Sequence, residues 1–155
     1  MISKKIKNYG VYLIGPMEEL TLGQMKGWRD KVTESYELNE IPVYDPTRRV
    51  PLRMQLEEVL QDQAMTRNLY KRIFKQDLQD IGNSSVVLAD CRRGEGNPVR
   101  RTGSDMEMMF AHCHNKIIIA WCNEGDVLHP FYESIITEKH FTLNEAVEAT
   151  LEYFT

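Results

Sequence analysis

Nothing in this 155-residue chain approaches the roughly 20 consecutive apolar residues of a bilayer-spanning helix, so no membrane partner is expected. Cysteine is scarce: Cys91, Cys113 and Cys122 cannot all pair, and no two of them form a Cys-x-x-Cys. That excludes a disulfide framework and leaves a reducing cytoplasm as the expected setting, with the thiols as small buried packing groups. Excess positive charge is missing too. With 19 Lys and Arg against 23 Asp and Glu, the formal charge of −4 argues against a dedicated nucleic-acid binder. The basic start, Met1 to Lys7, lacks a following signal-peptide core and cleavage site. Repeats, low-complexity stretches and linker-like segments are absent as well, which makes residues 1–155 one expected domain.

What is present is alternation. Val11 to Ile14 is a short apolar run closed by Gly15-Pro16, the mark of a buried strand. Met25, Trp28, Val32 and Tyr36 recur at helical spacing within a helix expected from Leu22 to Ser35. Ile41 to Tyr44 reads as a second strand, ended by Asp45-Pro46, and Arg48 to Arg53 as a loop. Leu56, Val59, Leu60, Met65, Leu69, Ile73, Leu78 and Ile81 trace the buried stripe of a long helical region. Ser85 to Ala89 is a third strand and Ile117 to Trp121 a fourth. Thr142 and Glu145 match a capping box that opens a last helix reaching Tyr153. Strands separated by helices imply an α/β protein: a small open, mainly parallel sheet with helices on both faces, Rossmann/flavodoxin-like.

Such sheets bind ligands beyond the carboxyl ends of their strands. Gly15 and Pro16, Asp45, Asp90 with its following loop, and Trp121 to Asn123 therefore form the candidate edge. The loop from Cys91 to Gly103 holds four arginines and three glycines. It reads either as an oxyanion cradle leading into a helix N-terminus or as a flexible, solvated segment. Glu107 has two readings as well. With Ser104 it spells Ser-x-x-Glu, a capping box; by position it aims a carboxylate at the ligand edge. Asp77, near the end of the long helix, would in isolation be a surface residue. His112-Cys113-His114 places its imidazoles on different helix faces with no acidic third ligand at the right spacing, so no metal is expected. The methionines around Glu107 read mostly as core fillers, while Met17 could line a base pocket.

Three motifs in order resemble the nucleoside 2-deoxyribosyltransferases and the related nucleotide N-glycosidases. Tyr12-Leu13-Ile14-Gly15-Pro16-Met17 resembles that family's opening strand. Asp77-Leu78-Gln79-Asp80-Ile81 with Ser84 to Leu88 is similar to its aspartate-bearing helix and third strand. Gly103 to Ala111, followed by Lys116 to Ile119, is similar to the stretch carrying its catalytic glutamate. The resemblance, over about residues 11 to 155, implies cleavage or transfer at an N-glycosidic bond without a cofactor. It implies Glu107 as the nucleophile at the anomeric carbon, Tyr12 as its hydrogen-bonding support, and Asp77 as the group that binds and protonates the leaving base. Gly15, Pro16 and Met17 would shape the pocket, and Asp45 would touch the base or cap its own turn, the second being preferred. His129 to Tyr132 falls where family members donate a loop to a neighbouring subunit, so a homodimer or larger homo-oligomer is implied. The asparagine some transferases use there is absent.

One position departs from the transferases, which commonly carry an aspartate six residues before the nucleophile. Here it is Arg101. The resemblance to the nucleotide hydrolases implies a 5′-phosphate contact in this region, from Gly103 and Ser104 onward. Arg101, with Ser104 and Arg100 or Arg93, suits a phosphate better than a neutral hydroxyl, since a buried cation without a counter-charge is costly. A nucleoside 5′-monophosphate is thus the preferred substrate over a free nucleoside. Transfer and hydrolysis remain open. The rival reading is a non-catalytic nucleotide sensor in which the arginine loop binds phosphate and Glu107 is only a cap. Single-stranded nucleic acid stacking on aromatic residues is a third alternative, which the acidic charge disfavours.

Overall fold

The structure, a computed structural model, describes residues 9–17, 22–49, 63–93 and 101–155. In chain order these form β1 (Val11–Ile14), α1 (Leu22–Leu38), β2 (Val43–Tyr44), a 3₁₀ turn (Pro46–Arg49) and α2 (Gln63–Asn83). There follow β3 (Val86–Asp90), α3 (Thr102–Cys113), β4 (Ile117–Trp121), α4 (Pro130–Ile135), β5 (Glu138–His140) and α5 (Leu143–Glu152). The sheet order is β2-β1-β3-β4-β5, and every neighbouring pair is parallel. Chain direction along the sheet reverses between β1 and β3, the switch point at which doubly wound folds open a crevice. The expected fold class is the one observed.

Strand alternation sorts the core into two layers. Val11 and Leu13 of β1, with Val86, Leu88 and Ile119, point to the face covered by Trp28, Val32 and Tyr36 of α1 and Ala146 and Val147 of α5. Tyr12 and Ile14, with Val87, Ala89, Ile118 and Ala120, point to the other face, against Ile81 of α2 and Met108 and Ala111 of α3. Tyr12 thus lies on the side from which α2 and α3 arrive. The placement follows from its even position in β1.

Several boundaries differ from expectation for local reasons. β2 is only two residues long because Pro42 has no N–H to donate; its carbonyl instead accepts from Val11 N at 2.9 Å. α1 runs three residues beyond Ser35, and Glu40, at φ 59°, takes the left-handed turn that stops it. β3 is displaced by one residue, because Ser85 is held to the Gly10 carbonyl before the ladder starts. Thr142 caps α5 as expected, its hydroxyl accepting from Glu145 N at 3.1 Å. Neither α4 nor β5 was evident: β5 is a three-residue edge strand, Glu-Lys-His, too short and charged to show an apolar period. Cys91 and Cys122 are buried, and burial pushes the Cys91 thiol up to about 12, so it packs as an inert group. Cys113 departs from the buried-thiol expectation; it lies on the last turn of α3 and is exposed. Met106 and Met109 also face outward, whereas Met108 is core. Leu56, Val59 and Leu60, and the loop stretch 94–100 with Arg100, fall outside the described residues.

Among the described residues no helix is long and apolar enough to cross a membrane.

Candidate active site

Two distant segments meet where β1 approaches α3. The Tyr12 hydroxyl, fully buried, donates to Glu107 Oε1 at 3.0 Å across 95 residues of sequence. Burial raises the Tyr12 pKa well above its ordinary value, and the Glu107 and Asp77 carboxylates raise it further. The phenol therefore stays protonated and serves as a fixed donor. Asp77 arrives from α2, where it sits on the stripe Ile73, Asp77, Ile81 at intervals of four. It is 4% exposed, not the surface residue its local sequence implies. Two carboxylates and one phenol thus occupy the crevice face of the sheet, each nearly enclosed by protein.

The Ser-x-x-Glu capping box does not form. Arg101 is the N-cap of α3, so Ser104 is already the third helical residue and no side chain caps the helix. The earlier start follows from Arg101 itself, whose guanidinium donates to the Asp90 carbonyl at 2.8 Å and to the Arg92 carbonyl. That ties the start of the helix to the end of β3. Gly103 accordingly lies within the first turn of α3 and not in a turn before it. Glu107 falls in the second turn, where its carboxylate accepts from Tyr12.

Gly15 and Pro16 are buried just past β1, and Met17 is half-buried beside them. Asp45 Oδ1 accepts from the Thr47 backbone N–H at 2.8 Å and from its hydroxyl at 2.6 Å, closing the turn after β2. The other charged groups at this edge are also engaged. Arg92 makes a two-pronged ion pair with Asp90 at 2.9 and 3.0 Å and lies over the Trp121 ring at 3.7 Å. Arg93 donates to the Cys91 carbonyl at 2.8 Å and lies 5.1 Å from the Tyr132 ring centre. The described start of the arginine loop is therefore a structured shelf.

Arg29 was not a sequence candidate, yet its side chain is fully buried at this edge. It donates from Nη2 to the Gly15 carbonyl at 2.9 Å and from Nη1 to the Met25 carbonyl at 2.7 Å. Its Nε stands 3.9 Å from Asp45. The signal was available: Arg29 lies four residues after Met25 and three before Val32, inside the apolar stripe of α1.

The sequence matches no protein-family model, and no curated protein is significantly similar to it. Solved structures are similar. The 2-deoxyribosyltransferase of the psychrotolerant bacterium Bacillus psychrosaccharolyticus superposes with a TM-score of 0.64, over 89% of this chain and 90% of that one, at 14% identity. The chain has the fold of a 2-deoxyribosyltransferase. The CMP N-glycosidase BcmB of Clostridium botulinum matches with a TM-score of 0.51, over 90% of this chain and 96% of that one, at 11% identity. The deoxyribosyltransferase fold therefore extends over nearly the whole chain, and the Tyr12–Glu107–Asp77 cluster lies at its switch point.

That cluster makes a first prediction. Tyr12→Phe removes a buried donor to a nearly buried carboxylate and is expected to cost about 1–3 kcal/mol, read from urea unfolding. The sign of its pH dependence is specific. Above pH about 10 the unfolded phenol ionises while the folded one does not, so wild type loses stability as pH rises. Tyr12→Phe should lose it less steeply. Parallel alkaline limbs for the two proteins would show that the Tyr12 hydroxyl is not held protonated by this environment.

Proposed function

We propose that the protein is an enzyme of N-glycosidic bonds, a member of the nucleoside 2-deoxyribosyltransferase and nucleotide N-glycosidase family. The observation that carries this reading is the 3.0 Å Tyr12–Glu107 hydrogen bond with Asp77 beside it at the carboxyl edge of the sheet. In the proposed reaction a Glu107 carboxylate oxygen attacks the anomeric carbon, and the bond from that carbon to the base nitrogen breaks. Its electron pair leaves with the base, which takes a proton from Asp77. A glycosyl ester of Glu107 remains. Attack by a second base gives a new nucleoside or nucleotide, and attack by water gives the sugar or its 5′-phosphate. In both the ester bond to Glu107 breaks to restore its carboxylate, and the attacking group's proton returns to Asp77. Splitting one displacement into two suits a centre with oxocarbenium character. Tyr12 holds Glu107 in line throughout. Gly15, Pro16 and Met17 shape the pocket for base and sugar.

A nucleoside 5′-monophosphate is the preferred substrate in this reading. Ser104 is nearly buried in the first turn of α3, a helix start with no side-chain cap, so its N–H groups are available to an anion. Arg101 spends two hydrogen bonds on backbone carbonyls and keeps further N–H donors beside them. A cytoplasmic homodimer or larger homo-oligomer completes the proposal.

The test is chromatography of ribo- and deoxyribonucleosides and their 5′-monophosphates after incubation with the protein, half the reactions supplemented with a second free base. Base release is the expected result, with monophosphates consumed at least about tenfold faster than nucleosides, as loss of one charge-assisted contact would predict. A new nucleoside or nucleotide in the supplemented reactions would assign transfer. Binding without any turnover across the panel would remove the enzymatic reading in favour of a nucleotide sensor.

A further inference from the structure

The β3–β4 ladder ends at the carboxyl edge of the sheet, where Cys91 N donates to the Trp121 carbonyl at 2.9 Å. Beyond it the pairing continues through side chains. Asp126 Oδ2 accepts from Arg93 N at 2.9 Å, as a strand carbonyl would. Asn123 Nδ2 donates to the Arg93 carbonyl at 3.0 Å, as a strand N–H would. Asp126 Oδ2 also accepts from Asn123 N at 2.7 Å, and Asp126 N returns to the Asn123 carbonyl at 3.1 Å. Gly125 lets this turn close: its φ of 83° lies in the left-handed region that glycine enters without strain.

The clip completes a pattern. The four successive carbonyls from Asp90 to Arg93 accept from the side chains of Arg101, Arg93, Arg101 and Asn123 in that order. Arg101 is also the N-cap of α3, so the shelf that carries its guanidinium places the start of the helix as well. Stability is a weak reason for such a clip. Both Asn123 bonds are exposed, and an exposed hydrogen bond exchanges with water for little net gain. What the bonds supply is position.

We propose that Asn123 and Asp126 are positioning residues for the substrate's phosphate: they hold residues 90–93, and through them Arg101 and the first turn of α3, in place before the anion arrives. The inference rests on the N-glycosidic reading and its preference for a 5′-monophosphate. Donors ordered in advance bind more tightly, because less freedom is lost on binding. The bond-breaking groups stand apart from the clip. Glu107 is held by Tyr12 of β1, and the proposed base and sugar pocket follows that same strand at Gly15. Loosening the clip should weaken the hold on phosphate and leave the glycosidic step as it was.

Three variants test this. Asp126→Ala removes the shared acceptor, whereas Asp126→Asn keeps an oxygen that can take both N–H groups. Gly125→Ala strains the turn alone, since its methyl would meet nothing within 4 Å. Asp126→Ala and Gly125→Ala are expected to raise KM for nucleoside 5′-monophosphates about tenfold, the loss expected of one charge-assisted hydrogen bond. Both kcat and the KM for nucleosides should hold, and Tm should fall by only a few degrees. Asp126→Asn is expected to restore the wild-type KM. Calorimetric titration of nucleosides and monophosphates into the same variants, made in Glu107→Gln protein, reads affinity without turnover.

Equal losses for nucleosides and monophosphates would overturn the proposal. So would an unchanged monophosphate KM and affinity in Asp126→Ala, or failure of Asp126→Asn to restore them. If Asp126→Ala does not fold, Gly125→Ala decides by the same comparison. Wild type that releases no base, with monophosphate affinity still lost in Asp126→Ala and regained in Asp126→Asn, would sink the glycosidic reading and leave the clip standing.

Discussion

Glu107→Gln is expected to abolish base release, by on the order of 10⁴-fold or more, while the protein remains folded. The amide keeps the shape of the carboxylate, and its oxygen can still accept from Tyr12, so the 3.0 Å contact has a neutral replacement. What disappears is the proposed nucleophile. Glu107→Ala is expected to be equally inactive but less stable by about 1–3 kcal/mol, because the fully buried Tyr12 hydroxyl would then lack its acceptor. Comparing the two variants by single-turnover base release and by thermal unfolding separates chemistry from packing. A glutamine variant working at the wild-type rate would end the assignment of Glu107 as nucleophile. Loss of activity confined to the alanine variant would mean that the residue acts by supporting Tyr12.

Gly15→Ala carries the largest expected effect on the scaffold of the site. The reason is steric, not conformational. The added methyl would sit 2.9 Å from Trp28 Cζ2, 3.0 Å from Arg29 Nη2 and 3.3 Å from Asp90 Cβ. None of the three yields easily. The Trp28 ring is buried against Trp121, with centroids 5.9 Å apart; the Arg29 guanidinium is tethered at both ends; and Asp90 is the last residue of β3. Overpacking of this kind costs about 2–3 kcal/mol, equivalent to a fall in Tm of roughly 5–10 °C for a chain this size. Because Gly15 also lines the proposed pocket, substrate KM is expected to rise in the surviving protein. Differential scanning calorimetry checks the first effect and steady-state kinetics the second. A variant with unchanged Tm would mean that the Gly15 turn is free to move away from α1, and the tie through Arg29 would then carry little constraint.

The parts of the fold that were legible share a cause. β1, β3 and β4 are buried on both faces, so they appear as continuous apolar runs bounded by glycine, proline or polar residues. α1 and α5 show period and cap. Where the signal was weak, the element was short or at an edge: β5 carries three charged or polar residues, and α4 spans six residues with none buried. The helix start at Arg101 escaped because a sequence shows which residues can cap. It does not show that a guanidinium already holds the Asp90 carbonyl. Asp77 and Arg29 were obscured by the same ambiguity. A charged residue on an apolar stripe reads as an interruption until the stripe's partner surface is known.

The sequence by itself determined the alternation of strands and helices and the strand ends at which a site could form. Local periodicity and turn chemistry act over a few residues, and those features need no more. Only the tertiary structure decided that Tyr12 meets Glu107 across 95 residues, that Asp77 faces inward, and that Arg29 lies beneath Gly15 within reach of Asp45. These facts depend on the order of the strands and on which helix covers which face. Both are set by the whole chain burying its apolar surface at once, a cooperative result that no short window contains.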